Sequence, residues 1–412
     1  MPRRLQVRTK GQAGAPVGAQ SAGRPTPPAS GTQRQGLSPR AQKVLLVRGS
    51  NGRAGTALLS REGLERLAPL LDAAVRGGEI PGAVVLVGDA KRVAHHQAFG
   101  WAQVVPRKRR MKLDTVFDLA SLTKVVATAP AIMLLAERGQ LLLSDPICRY
   151  LPRFGAKGKE AVTIAHLLTH TSGLPAWHDN SGASDAGAVI HATCKTPLKH
   201  SPGEGMIYSD LGFVVLGEVV RIVSGQPLDE FTRDNIFEPL GMRDTAFKPD
   251  AAMRKRCAAT EERDGEILVG KVHDPNAAAM GGVAGHAGLF STAGDLSIYA
   301  RMLLNMGRHG QRRFLSPLSL RAMTTVQAEV KGEKRGYGWD IATAYSSPRG
   351  DFFGARSYGH TGFTGTSMWI DPEARVFAIL LTNVIHPKAG KKATRLRAQV
   401  ANVIAASIEA QQ

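Results

Sequence analysis

Residues 117–139 read FDLASLTKVVATAPAIMLLAERG, and the two polar side chains near the start of this apolar run, Ser121 and Lys124, decide how the chain is read. The run predicts a buried helix, and positions three apart on a helix share a face, so both side chains can enter one cleft. Asp118 or Ser121 is placed to cap that helix. A helix N-terminus points unpaired N–H groups and a positive dipole end outward, which suits an oxyanion. It disfavours an ammonium, which would lower a lysine pKa toward that of a general base. Taken alone, a capping serine and a solvated lysine explain the same spacing.

Two later stretches carry polar groups into apolar surroundings. Tyr208-Ser209-Asp210 precedes the helical run LGFVVLGEVVRIVSG, where the tyrosine could also be a core wedge. His360-Thr361-Gly362, in YGHTGFTGTSMWIDP, opens a late strand, and Gly362 and Gly365 leave it an edge with little bulk along which a substrate could lie. No G-x-S-x-G occurs, so the α/β-hydrolase route to a nucleophilic serine is not supported.

The rest of the chain supplies a frame for these residues. GAVVLVGD and RVAHHQAFG read as two strands near the start of the ordered chain, and GTSMWIDPEARVFAILLTN (365–383) as a hairpin turning at Asp371-Pro372 near its end. REGLERLAPLLDAAVRGG, with Leu64, Leu67, Leu70, Leu71 and Val75 in a stripe, and ATRLRAQVANVIAASIEA read as amphipathic helices. The economical arrangement is an α+β fold: one antiparallel sheet built from both chain ends and flanked by helices, with a helix-rich region of residues 120–330 over one face.

Of the +19 formal charge, residues 1–61 contribute 11 Arg or Lys and no acid, leaving 19 − 11 = +8 beyond them. The basicity is that of a Pro-, Gly-, Gln- and Ser-rich tail over residues 1–60, read as disordered, ahead of one domain over 61–412. A nucleic-acid partner is therefore not indicated. No secretory-signal core is visible, so the default reading is cytoplasmic, with export open if the start lies elsewhere. The longest apolar run, 125–136, is 12 residues with Pro130 inside, short of the roughly 18 a membrane span needs, so no integral membrane segment is expected. Cys148, Cys194 and Cys257 are widely spaced and form no C-x-x-C. His273, Asp274 and His286 match no metal-site spacing and read as loop ordering or substrate contact, and His166 and His170 as a structural helix end before the Thr171–Pro175 turn. Trp177 and Trp339 fit cleft lining or core packing equally.

Ser-x-x-Lys, then Tyr-x-Asp, then His-Thr-Gly, in that order, resembles the β-lactamase and penicillin-binding serine hydrolase superfamily over residues 62–409. The likeness is to the branch of class C β-lactamases, DD-carboxypeptidases, esterases and D-aminopeptidases. LLTHTSGLPAW (167–177) and GQPLDEFTRDNIFEPLGMRDTAF (225–247) also resemble that branch, while GGVAGHAGLFSTAGDLSIYARMLLN (281–305), with VHDPNA (272–277) and LLTNVIHP (380–387), is similar to the subgroup that includes muropeptide amidases. The resemblance implies Ser121 as the acylated nucleophile, with Lys124 and Tyr208 sharing the proton transfers and Asp210 contacting Lys124 or the substrate amide. It implies His360, Thr361 and Gly362 as the substrate-binding strand, and the amides of Ser121 and Phe363 as the oxyanion hole. No cofactor or metal is called for, and nothing in the sequence fixes the oligomeric state.

Two departures bear on substrate. Class C enzymes typically carry Tyr-x-Asn and Lys-Thr-Gly where this chain has Asp210 and His360. An ionised aspartate cannot donate to a lactam side-chain carbonyl, and a neutral histidine anchors a carboxylate less firmly than lysine. The expectation is an acyl hydrolase of small ester, amide or muropeptide substrates: an esterase, a D-amino-acid peptidase or a muropeptide amidase. A true class C-type β-lactamase or a non-turnover penicillin sensor is the alternative.

Overall fold

The computed structural model describes residues 58–345 and 347–409; most of the expected basic tail lies outside them. Nine strands form one antiparallel sheet in the order Ala328–Val330, Glu333–Arg335, Asp340–Ala342, Tyr358–Thr361, Ser367–Asp371, Val376–Thr382, Gly82–Asp89, Val93–Gln103, Arg109–Arg110. The two chain ends meet at its centre, where Val376 lies opposite Asp89 and Thr382 opposite Ala83. Residues 58 and 59 pair with 409 and 408, a second closure of the termini.

Gly82–Asp89 and Val376–Thr382 are buried along their whole length because helices cover both faces of the sheet. Successive residues point to opposite faces. Val85 and Val87 join Leu67, Leu71, Leu396, Val400 and Ile404 under the terminal helices Leu67–Arg76 and Thr394–Ala406. Val84 and Leu86 join the larger core beneath Ala293–Leu304, Ala129–Glu137 and Asp210–Ser224. Trp339 is fully buried against Tyr358 in this core, while Trp177 is exposed.

The region over 120–330 is helix-rich, but it also holds a small sheet that matters for the site. Phe117–Asp118 pairs with Leu289–Ser291, which pairs with Ala246–Phe247. The run after it is not one regular helix: a 3₁₀ turn (Ala120–Leu122) leads into a π-helical turn (Lys124–Thr128) and then α-helix (Ala129–Glu137). Counted together, Ala120–Glu137 is 18 residues with a mean hydropathy of 1.3, long and apolar enough to cross a membrane. It is 83% buried inside the protein, as a core helix is.

Candidate active site

Ser121 sits where the small sheet hands over to this broken helix. Ala120 just before it has φ 46°, a left-handed conformation that a residue with a Cβ rarely adopts and that marks stored strain. Neither expected cap forms as a cap. Asp118 Oδ1 accepts from the Ala120 amide (2.9 Å) and Oδ2 from the His273 amide (2.7 Å), which fixes the turn from two sides. The Ser121 hydroxyl instead accepts from Lys124 Nζ at 3.0 Å.

Lys124 is fully buried, and its ammonium has three donors. They meet Ser121 Oγ, Asp210 Oδ1 (2.6 Å) and the His286 carbonyl (3.2 Å). Burial pushes the Lys124 pKa down, but the Asp210 carboxylate and then the Tyr208 hydroxyl outweigh it, and the net shift is upward. This corrects the expectation of a lowered lysine pKa: a carboxylate 86 residues away in sequence overrides the helix terminus. At neutral pH the resting Lys124 is a cation.

Tyr208 is half-buried beside the pair, its ring centroid 4.9 Å from Lys124 Nζ. Burial raises its pKa and the charge of Lys124 opposes that rise; its hydroxyl lies close enough to Lys124 and Ser121 to feel both. The ring leans on His170 (4.5 Å) and His360 (5.8 Å), with the Arg335 guanidinium 5.3 Å away. His170 was read from sequence as a helix-end residue, yet it is a platform under Tyr208. Its Nδ1 accepts from the Ser209 amide at 3.0 Å, and its backbone φ of 61° turns the chain there.

Thr361–Phe363 faces Ser121 across a cleft of about 490 Å³ that is also lined by Tyr208, Arg335, His360, Lys391, Lys392 and Arg397. His360 donates from Nδ1 to the Thr361 carbonyl (2.8 Å) and is neutral: burial, then Arg335 and Lys124, hold its pKa well below the ordinary value. The missing side chain at Gly362 serves packing first. A Cβ there would overlap the Leu119 carbonyl and Thr366 Oγ1. Thr364 and Thr366 hydroxyls donate to the Asp118 and Leu119 carbonyls (2.7 and 3.0 Å), and Arg397 Nη2 donates to those of Gly362 and Thr366 (2.8 and 2.9 Å). These bonds staple the late strand to the serine turn. Phe363 is exposed, its ring stacked on His273 at 5.4 Å, and no carbonyl among the described residues accepts from its amide.

All eight residues singled out in the sequence therefore meet in one place. Arg335, His170 and Arg397 were not foreseen. Arg335 lies in a three-residue strand within GEKRGYG, yet it is 2% exposed and faces the cleft. His273 Nε2 lies 3.0 Å from Glu261 Oε1 and His286 Nε2 lies 2.8 Å from Asp274 Oδ1, contacts that tie down the loops carrying them.

A strained serine turn, a buried lysine three residues on and a tyrosine against both, at the edge of an antiparallel sheet closed by the chain termini, define a penicillin-binding-type serine hydrolase. The chain belongs to the Beta-lactamase family, whose model matches residues 67–402. It is 33% identical to an Escherichia coli K12 protein named "Putative D-alanyl-D-alanine carboxypeptidase", over 74% of this chain and 79% of that one. It is 32% identical to an N-acetylmuramyl-L-alanine amidase of Bacillus subtilis 168, over 81% of this chain and 83% of that one. A penicillin-binding protein homologue from Caulobacter crescentus shares the fold with a TM-score of 0.69 and 20% identity, over 86% of this chain and 100% of that one.

Proposed function

We propose that this serine hydrolase cleaves amide bonds of muropeptides or D-amino-acid peptides through an acyl-enzyme on Ser121. The observation that carries the reading is the Lys124 ammonium, shared between Ser121 Oγ (3.0 Å) and Asp210 Oδ1 (2.6 Å) at the floor of the cleft. A proton moved along the Lys124–Asp210 contact frees the amine to take the Ser121 proton as Oγ attacks the substrate carbonyl. Tyr208, set beside both Ser121 and Lys124, carries the proton on to the leaving amine. The Ser121 and Phe363 amides receive the oxyanion, with such donors commonly contributing about 3–4 kcal/mol each. Water then hydrolyses the ester with the same groups in reverse order.

Substrate class follows from charge. Asp210 presents an acceptor where a lactam side-chain carbonyl would need a donor, so substrates with N–H groups toward it are favoured. Neutral His360 supplies no cation, but Arg335, Arg397, Lys391 and Lys392 line the same cleft and suit a peptide carboxylate. The amidase relative's name is consistent with such a substrate. Intact protein assayed against muropeptides, D-amino-acid amides, p-nitrophenyl esters and nitrocefin tests this. Amide and ester turnover exceeding nitrocefin turnover is expected; fast nitrocefin hydrolysis with no amide cleavage would reject it.

A further inference from the structure

We infer that the Asp274–His286 pair, its histidine buried and its carboxylate partly exposed, is a positioning device for Lys124; the inference rests on the role proposed above for that lysine. His286 is 1% exposed and supplies the third acceptor of the Lys124 ammonium through its backbone carbonyl. The preceding residue, Gly285, accepts from Thr128 Oγ1 at 2.7 Å through its own carbonyl, so two successive carbonyls of one loop grip the π-helical turn that carries Lys124. That loop presses against helix Asp210–Ser224: a Cβ on Gly285 would collide with the Phe213 carbonyl and lie 3.0 Å from the Gly217 nitrogen.

The carbonyl's direction depends on what holds the His286 ring. Asp274 is ionised, its pKa lowered to about 2 because His286, the Ala277 amide and Lys124 outweigh burial. It therefore accepts, and His286 Nε2 donates to Asp274 Oδ1 at 2.8 Å. Nδ1 of His286 is buried and has no partner among the described residues, so Asp274 is the ring's sole polar anchor there. Asp274 is itself fixed by the Ala277 amide (2.7 Å), and the neighbouring His273 amide by Asp118 of the serine turn (2.7 Å). A closed circuit results, from the Ser121 turn through Asp118, His273, Asp274 and His286 back to Lys124. Asp274 also stands as a second carboxylate in the field of Lys124, alongside Asp210, Tyr208, His170, His360 and Arg335.

Three full-length variants separate the geometric and electrostatic parts. Asp274→Asn keeps an oxygen for both the Ala277 amide and His286 but removes the charge. His286→Leu removes the anchor, and His286→Gln restores a donor to Asp274. Burst rates with p-nitrophenyl butyrate are measured from pH 5 to 11, with melting curves alongside. His286→Leu should lower the acylation rate about 100-fold, the usual consequence of a reacting group displaced by about 1 Å, with most of the rate recovered in His286→Gln. Asp274→Asn should shift the Lys124-dependent limb of the profile to lower pH with KM little changed, because an anion that favours the ammonium is gone. Wild-type rates in His286→Leu, or an unshifted profile in a folded Asp274→Asn, would overturn the inference. Should His286→Leu fail to fold, the other two variants still decide. Ester turnover surviving in Ser121→Ala would instead overturn the proposed function, an outcome separate from these.

Discussion

Replacing Asp210 by asparagine tests the charge state on which the site depends. The substitution keeps the shape and one oxygen toward Lys124 but removes the carboxylate held 2.6 Å from Nζ. Lys124 is raised above the ordinary value of 10.5 only because Asp210 and Tyr208 outweigh burial. A raised lysine contributes stability that is fully present below its unfolded pKa and lost as pH climbs through the folded one. Breaking a buried pair outright costs about 3–5 kcal/mol. Here the Asp210 side chain is 21% exposed, the amide still accepts and Lys124 can shed its proton, so about 1.5–3 kcal/mol is the better figure. For roughly 350 ordered residues that is a fall of about 2–4 °C in Tm at pH 7. The gap should close as pH climbs through the raised folded pKa of Lys124. Without the carboxylate, burial dominates and Lys124 drops below its ordinary value, so the pH–rate profile with p-nitrophenyl butyrate moves to lower pH. The asparagine amide can also donate to a lactam side chain, so acylation by nitrocefin should rise relative to the ester. An unmoved profile and a pH-independent Tm difference would refute the reasoning.

Other variants probe the neighbours. Lys124→Ala and Tyr208→Phe should each reduce the ester burst by orders of magnitude, and the double variant should lose little more, because the groups act as a unit; additive losses in a stopped-flow comparison would argue for separate roles. Arg335→Met should raise KM for substrates ending in a carboxylate about 10–100-fold more than for a neutral ester, the range expected for one charge-assisted hydrogen bond. Gly285→Ala should impair acylation without touching any cleft-lining side chain, since its Cβ forces the loop off the Phe213 carbonyl and moves the carbonyls that hold Thr128 and Lys124; a burst equal to that of the parent protein would count against it.

The sheet was legible because GAVVLVGD and VFAILLT are apolar up to their last residues, Asp89 and Thr382, which requires cover on both faces, and because they sit at opposite ends of the chain. Ser121 and Lys124 were legible as a pair on one face, but the 3₁₀ and π turns were not, since an apolar run has the same composition in either geometry. The sign of the Lys124 shift was hidden because it depends on Asp210, and sequence spacing gives no distance between residues so far apart. His170 looked like a turn residue, and it does make a turn; only the packing shows Tyr208 resting on it. Arg335 carried no signal, because a buried arginine in a three-residue strand has the same sequence surroundings as an exposed one.

The most direct test of the account is mass analysis of the protein quenched during turnover of a slow ester or amide, followed by peptide mapping. The account predicts one acyl group per chain, on Ser121, absent in Ser121→Ala together with all turnover. Full turnover in that variant, or an acyl group carried by another residue, would contradict it.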